Sequence, residues 1–186
     1  MKKMLTMLVM AGMAYGASGQ TNPFSAQVKR DYEKVREMMI RSAEKMPEIE
    51  YEFRPTPEVR SFGQIVAHVA DDQYNLCGPA SGDIREGDGG RIEKTVHGKD
   101  ALVLELRKAF AYCDAAYAAV TDATAMEKVT AYGASRTRYS LLDWNMWHTW
   151  EHYGNLVVYL RMKGLVPPSS EPAKPQLKLI ADPPKK

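Results

Sequence analysis

The sequence predicts an all-α protein built as a four-helix bundle. Four segments place apolar residues at helical spacing, namely residues 24–46, 61–77, 100–120 and 140–163. No segment shows a convincing alternation of apolar and polar residues, which is the pattern of a half-buried strand. A long glycine-rich connection between the second and third helices allows a crossover, so we expect these two helices to run parallel.

The first 19 residues have the order of a secretory signal peptide. Lys2 and Lys3 precede an apolar run over residues 4–15, and small residues follow at 16–19. The run is shorter than the roughly 20 apolar residues that a membrane-spanning helix needs, and no cysteine follows it to take a lipid anchor. We therefore expect an exported protein, periplasmic or extracellular, that starts at Gln20 and has no stable membrane anchor.

The first two helices have clear ends in the sequence. Pro47 cannot continue a helix, so the first helix is expected to end at Met46. Ser61 and Gln64 form the S-x-x-Q pattern of a capping box, which places the start of the second helix at Ser61. We expect the second helix to end before the Gly-Pro pair at residues 78–79.

The later connections are marked by glycine and proline. Residues 78–98 contain six glycines and mixed charges, which predicts a long surface loop. Ser140 and Asp143 form a capping pair for the fourth helix, and Gly164 suits the C-terminal end of that helix. Six of the 11 prolines fall in residues 167–186, so we expect an extended tail there.

The 186-residue chain has the composition of one globular domain, which we place at residues 22–166. Its 25 basic and 23 acidic residues give a net charge of +2, so nothing indicates a nucleic-acid partner. Two cysteines are too few for a disulfide scaffold or a cysteine-rich zinc module. Cys77 and Cys113 either form a disulfide between two parallel helices or pack as small core residues.

The histidines of the fourth helix are candidates for a metal site. His148 and His152 stand four residues apart, so both imidazoles can reach one ion. They lie at the centre of the helix's inward arc, together with Asn145 and Asn155. A metal ion would give the buried nitrogens of both imidazoles a partner, and hydrogen bonds with the asparagines would do the same. The glutamate of the H-E-x-x-H motif is absent, so protease chemistry of that kind is not expected.

His68 favours the metal interpretation. It flanks the apolar face of the second helix and can therefore point into the bundle. Three imidazoles from two helices suffice to hold zinc or nickel while leaving a position for water or substrate. The fourth histidine, His97, falls in the glycine-rich segment, and we expect it to be solvated.

Two further residues are candidates for proton handling or substrate orientation. Asp72 follows His68 by one helical turn and falls near the middle of the inner arc, where it would accept from a ligand imidazole or act as a base. A helix rotated by about 40° would instead leave Asp72 at the wet rim. Its neighbour Asp71 is expected to point away, and Tyr159 lies on the inward arc of the fourth helix.

These residues resemble the DinB/YfiT-like family. The histidine within SFGQIVAHVADDQYNLC and the pair within WNMWHTWEHYGNLVVYLRMKGLVPPSS are similar to its second and last helices. The resemblance covers residues 22–170. It implies a four-helix bundle of up-down-down-up order, often dimeric, with a divalent metal held by three histidines, here His68, His148 and His152. The members of that family with known activity include metal-dependent thiol transferases and a thiol-dependent isomerase.

Two functions are consistent with this sequence. The first is a metal-dependent hydrolase or transferase acting on an unidentified small molecule, with Asp72 or Tyr159 as the catalytic residue. The second is a non-catalytic metal- or ligand-binding bundle with an envelope or stress role. A metal-free bundle, whose histidines are core hydrogen-bonding groups, is a third interpretation. Trp144 is expected to wall the pocket, and Trp150, opposite the histidines, marks a candidate homodimer interface.

Overall fold

A computed structural model describes residues 21–83 and 90–172. The predicted signal peptide and residues 173–186 of the predicted tail lie outside the described residues. Four long helices dominate the described part, and a short helix and two short strands lie in their connections. In chain order the elements are α1 (Pro23–Lys45), α2 (Phe62–Ser81), α3 (Arg91–Thr95), α4 (Lys99–Ala119), β1 (Lys128–Ala131), β2 (Ala134–Thr137) and α5 (Arg138–Met162).

The long helices form the predicted bundle, in which α1 and α2 each pack against α4 and α5. Gly63 lies against Leu102, and Cys77 is bonded to Cys113, so α2 and α4 run parallel. Contacts at both ends of α1 show that it runs antiparallel to α4 and parallel to α5. These contacts are Tyr32–Tyr117 and Glu44–Arg107 for α4, and Phe24–Tyr139 and Lys45–Val166 for α5. The up-down-down-up order is therefore confirmed.

The ends of the helices that bear the histidines agree in part with the predictions. The capping box of α2 is confirmed, because Ser61 Oγ accepts from the Gln64 amide and the Gln64 side chain accepts from the Ser61 amide. Thr137 caps α5 by accepting from the Ser140 amide, so this helix begins earlier than the predicted Ser140 start. Gly164, at a φ of 72°, follows the end of α5 as expected.

The helix α2 continues through Pro79, one turn beyond its predicted end before Gly78. Proline lacks the N–H that would bond the carbonyl four residues earlier, here that of Asn75. The Tyr132 hydroxyl donates to this carbonyl at 3.0 Å instead. The predicted end was therefore wrong, because a residue far away in the sequence supplies the missing hydrogen bond. Gly82, in the left-handed conformation with a φ of 88°, then ends the helix.

Part of the predicted glycine-rich loop is helical, since α3 lies within it. Asp71 on α2 accepts hydrogen bonds from the backbone amides of Ile92 at 2.9 Å and Glu93 at 3.0 Å. The Ile92 side chain is fully buried beside it. Asp71, expected to point away from the inner arc of α2, faces α3, and it is only 5% exposed because it holds the first turn of α3 in place.

A two-stranded hairpin precedes α5, which corrects the prediction that the chain has no strand. The strands β1 and β2 pair antiparallel around a two-residue turn formed by Tyr132 and Gly133. Both turn residues have positive φ values, 53° and 68°, as hairpin turns of this length favour. Strands of four residues are too short for an alternating pattern to stand out in the sequence.

A disulfide joins Cys77 on α2 to Cys113 on α4, with the two Cα atoms 5.3 Å apart. This decides between the two sequence interpretations of the cysteines in favour of the bridge. The described start of the tail lies beside α1, where Glu171 pairs with Arg41 and Lys45. Within residues 21–83 and 90–172, no helix has both the length and the apolarity that crossing a membrane requires.

Candidate metal centre

Three histidines from two helices converge inside the bundle. The helix α2 contributes His68, and α5 contributes His148 and His152 from successive turns. One ring nitrogen from each lies within 4.8 Å of the other two. The ring of His68 has its centroid 5.3 Å from that of His148 and 4.8 Å from that of His152. The predicted convergence is therefore confirmed, and this group of side chains could bind a metal ion.

The two α5 histidines are held in their neutral form at pH 7. Burial lowers the pKa of His152 to about 3, with a further lowering by the neighbouring His148 and His68. Burial also lowers the pKa of His148, against the opposing effect of the Asp72 carboxylate. Neutral imidazole is the form that binds a metal, so the electrostatics of the site fit a cation.

Asp72 lies between two of the histidines. Its Oδ2 atom is 3.1 Å from His68 Nε2 and 3.4 Å from His148 Nδ1. The Asn75 side chain donates to the other carboxylate oxygen at 3.3 Å and so helps to orient it. The side chain of Asp72 is 19% exposed and faces the histidines rather than the wet rim. A carboxylate here can accept from a ligand imidazole or take a proton from a group bound beside it.

The two asparagines of the inward arc of α5 have different partners. Asn145 donates to Gln73 Oε1 at 3.0 Å and accepts from the Tyr117 hydroxyl at 3.2 Å, in a separate buried network. Asn155 reaches His152 Nδ1 with its side-chain nitrogen at 3.5 Å, the limit of a hydrogen bond. Among the described contacts, Asn145 therefore does not bond the histidine pair, and Asn155 reaches His152 alone.

Glu93 lies beside the site, although the sequence pattern does not predict it there. Its Oε2 atom is 3.7 Å from His68 Nδ1, and its Oε1 atom accepts from Arg60 Nε at 2.9 Å. Glu93 was not among the predicted site residues because α3 lies in a segment whose glycines predict a loop. The sequence pattern contains no indication that Asp71 would dock this segment against α2.

A cleft of about 410 Å³ opens beside His152. Its lining includes Arg60, Asn155 and Tyr159. The Tyr159 hydroxyl donates to the Arg60 backbone carbonyl at 2.7 Å, so this residue holds one wall of the cleft. A role for Tyr159 in proton handling stays a prediction.

Aromatic side chains flank the centre on the side of the hairpin. The ring of Trp147 lies 6.0 Å from that of His148 and stacks on Trp144, with their centroids 6.2 Å apart. Tyr132, from the hairpin turn, packs 5.4 Å from Trp144. Trp147 is the tryptophan next to a histidine, and a place for Trp144 in the pocket wall stays a prediction. His97 is exposed and is not part of this group, as predicted.

An all-α bundle that brings three imidazoles together inside it defines this chain as a candidate metal-binding helical protein. The chain belongs to the DinB superfamily, whose family model matches residues 31–156, a span that includes all three histidines. No curated protein matches the sequence.

Solved structures show the same fold at low sequence identity. A DinB-like protein from Bacillus subtilis is 21% identical with a TM-score of 0.60, over 74% of this chain and 92% of that one. One from Bacillus cereus is 15% identical with a TM-score of 0.64, over 77% and 95%. A mycothiol-dependent maleylpyruvate isomerase is 17% identical with a TM-score of 0.60, over 71% of this chain and 60% of the isomerase. At these identities the likeness establishes the fold alone.

Proposed function

We propose that this protein is an exported, divalent-metal-dependent hydrolase or transferase that acts on a small molecule. The proposal rests on the convergence of His68, His148 and His152 within 4.8 Å. Three neutral nitrogen ligands suit zinc or nickel. A four-coordinate ion with three protein ligands keeps one position for another group, which is the arrangement of catalytic rather than structural sites.

The side chains around the histidines have separate tasks in this proposal. A divalent ion held by the three imidazoles would supply a Lewis acid and an exchangeable coordination position beside the cleft. Asp72 would accept a proton from the reacting group or keep the His148 ring in place through Nδ1. Arg60 would bind a negatively charged part of the substrate, and Tyr159 would hold the backbone of Arg60 in position.

We infer that the cleft takes a small ligand, whose negatively charged group would bind Arg60 rather than the side of the cleft lined by Glu58. Its volume of about 410 Å³ is in the range of small-molecule sites. Arg60 lines it, and the side chain of Arg60 is 43% exposed although its Nε atom bonds Glu93. A guanidinium group has five N–H donors, so the bond to Glu93 leaves donors for an anion.

The isomerase among the structural neighbours supports catalysis on this fold, since its name describes a mycothiol-dependent reaction. Small thiol reductants serve cytosolic compartments, and the predicted signal peptide argues against that compartment here. We therefore place hydrolysis, or a group transfer that needs no such thiol, ahead of thiol transfer.

Export rests on the predicted signal peptide at residues 1–19, and the disulfide between Cys77 and Cys113 supports it. Disulfides persist in oxidising compartments and are rare in the cytosol. The intact mass of protein recovered from the periplasm or the medium tests both points. We expect a chain that starts at Gln20 and has no free thiol. A full-length cytosolic chain with two free thiols would contradict the proposal.

We further propose a homodimer formed through α5. One face of this helix has large apolar side chains that are 39% to 55% exposed, namely Trp147, Trp150, Val158 and Met162. Such a patch is typical of an interaction surface. Light scattering should give twice the chain mass, and Trp150→Glu should give the monomer mass. A monomeric unsubstituted protein would reject the dimer.

Elemental analysis of natively purified protein tests the metal centre. We expect about one equivalent of a divalent metal in the unsubstituted protein and a large loss in His68→Ala, His148→Ala and His152→Ala. The exposed His97 supplies the matched control, because His97→Ala removes an imidazole away from the site. Equal metal content in all five proteins would reject the three proposed ligands.

Turnover separates the enzyme from a non-catalytic binding bundle. The metal-loaded protein is assayed with small anionic esters and phosphoesters, alongside Asp72→Asn. Activity that falls in Asp72→Asn at equal metal content supports an enzyme. A metal-loaded protein that binds such compounds without turnover supports the binding bundle.

A further inference from the structure

Glu93 joins the histidine site to the wall of the cleft. One carboxylate oxygen lies 3.7 Å from His68 Nδ1, and the other accepts from Arg60 at 2.9 Å. The side chain is 22% exposed, so water screens these charges less than at an open surface. Arg60 in turn lines the cleft beside His152. One side chain thus contacts both a candidate metal ligand and a candidate substrate-binding residue.

The position of Glu93 is built into the fold. Asp71, itself 5% exposed, accepts from the amides of both Ile92 and Glu93, and Ile92 is fully buried. These contacts fix the backbone of Glu93 against α2 close to His68. Removing a buried acceptor leaves its donors unsatisfied, so the docking of α3 on Asp71 is specific.

The two nitrogens of His68 face two different carboxylates. The Nε2 atom lies 3.1 Å from Asp72 Oδ2, which is also 3.4 Å from His148 Nδ1. The Nδ1 side faces Glu93. A metal-binding histidine usually donates its second N–H to a carboxylate or carbonyl, which sets the ring's orientation and raises its basicity. At 3.7 Å the two atoms are beyond hydrogen-bond distance, so the carboxylate acts on the His68 ring through its charge.

We propose that Glu93 is a positioning residue that orients His68 for metal binding, an inference that rests on the proposed metal centre. Through Glu93, the short helix α3 becomes part of the metal site although it contributes no ligand. The carboxylate also pairs with Arg60 and so offsets the positive charge that this guanidinium brings near the site.

The affinity for Zn²⁺ and Co²⁺, measured by competition with a chromophoric chelator, tests this role. Glu93→Gln keeps an acceptor for Arg60 but removes the charge, and Glu93→Ala removes both. We expect affinity to fall about 10-fold in the first and up to about 100-fold in the second. The visible absorption of bound Co²⁺ should also change, because it reports ligand geometry, which a merely structural role would leave unaltered.

Glu105→Gln is the matched control. Glu105 is also half-buried, and it pairs with Lys108 and with Arg91 of α3, so its loss removes a carboxylate next to the same helix. We expect metal affinity within twofold of the unsubstituted protein. If both Glu93 variants also stay within twofold and keep the Co²⁺ spectrum, the positioning role is overturned while the metal centre stands. If the unsubstituted protein takes up neither ion, the metal centre fails and this inference fails with it.

Discussion

The Nε2 atoms of His148 and His152 lie 3.1 Å apart on successive turns of α5. Two nitrogens bound at 2.0–2.1 Å to one tetrahedral zinc would be about 3.3 Å apart, so the pair stands close to the spacing that a shared ion requires. At this distance at most one of the two Nε2 atoms can hold a proton. A proton on His148 Nδ1, which faces Asp72 Oδ2 at 3.4 Å, would leave the Nε2 lone pair of His148 available for a cation.

The stability of the metal-free protein should depend on pH. The pKa of His152 is about 3 in the folded protein against 6.5 in an exposed chain, and that of His148 is lowered in the same direction. Below pH 6.5 the unfolded state therefore binds more protons, and the folded state loses stability as the pH falls. We expect the free energy of unfolding to fall with falling pH, with a slope that approaches about 1.4 kcal/mol per pH unit from His152 and a further contribution of the same sign from His148. Urea unfolding at pH 7 and pH 5 with a chelator present measures it.

Two variants identify the source of this pH dependence. His152→Gln should reduce the slope, whereas His97→Ala should keep it because His97 is exposed. A free energy of unfolding that is the same at pH 7 and pH 5 would contradict the lowered pKa values.

Metal should stabilise the folded protein. An ion that binds the native state alone adds about 2.7 kcal/mol at a free concentration 100 times its Kd. We expect Zn²⁺ to raise the melting temperature of the unsubstituted protein and of His97→Ala, and EDTA to reverse the rise. His148→Ala should show neither effect. Equal shifts in His148→Ala and the unsubstituted protein would show that zinc acts elsewhere.

The neighbours Asp71 and Asp72 should respond differently to the same substitution. Asp72→Asn keeps the fold and should weaken metal binding by about 10- to 100-fold, because Asp72 contacts His68 and His148. Asp71→Asn should instead destabilise the protein by about 1–3 kcal/mol, because Asp71 accepts from two amides of α3. Chemical unfolding and metal titration of both variants measure these effects. Metal binding unchanged in Asp72→Asn would rule out its proposed role.

The hydrogen bond from Tyr132 to Asn75 should matter because Pro79 leaves that carbonyl without its helical donor. Tyr132→Phe should cost about 0.5–1.5 kcal/mol in the free energy of unfolding. The same change in a Pro79→Ala background should cost less, since the alanine amide can bond the carbonyl. A double-mutant cycle measures this coupling, and a coupling of zero would show that the hydroxyl does not replace the helical bond.

The disulfide should contribute substantially to stability. It closes a separation of 36 residues, for which loop entropy predicts about 3–4 kcal/mol. Unfolding of a Cys77→Ala/Cys113→Ala double variant, compared with the oxidised protein, measures the difference. Both cysteines are buried in the core. A double variant as stable as the oxidised protein would contradict a stabilising bridge.

Local signals in the sequence predicted the helices well and their ends less well. The apolar periodicity found all four long helices, and the box of Ser61 and Gln64 found the start of α2. The end of α2, however, depends on Tyr132, which lies more than 50 residues further along the chain. The hairpin was not predicted because strands of four residues are too short to show an alternation of apolar and polar residues.

The sequence by itself determined the bundle and the three histidines, because helical periodicity sets which residues of a helix share a face. The tertiary structure alone decided the surroundings of those histidines. Asp71 docks α3 against α2, and this brings Glu93 beside His68 from a segment whose glycines predict a loop. The physical reason is that a docked segment is held by contacts between residues distant in the sequence, and a local pattern contains no information about such contacts.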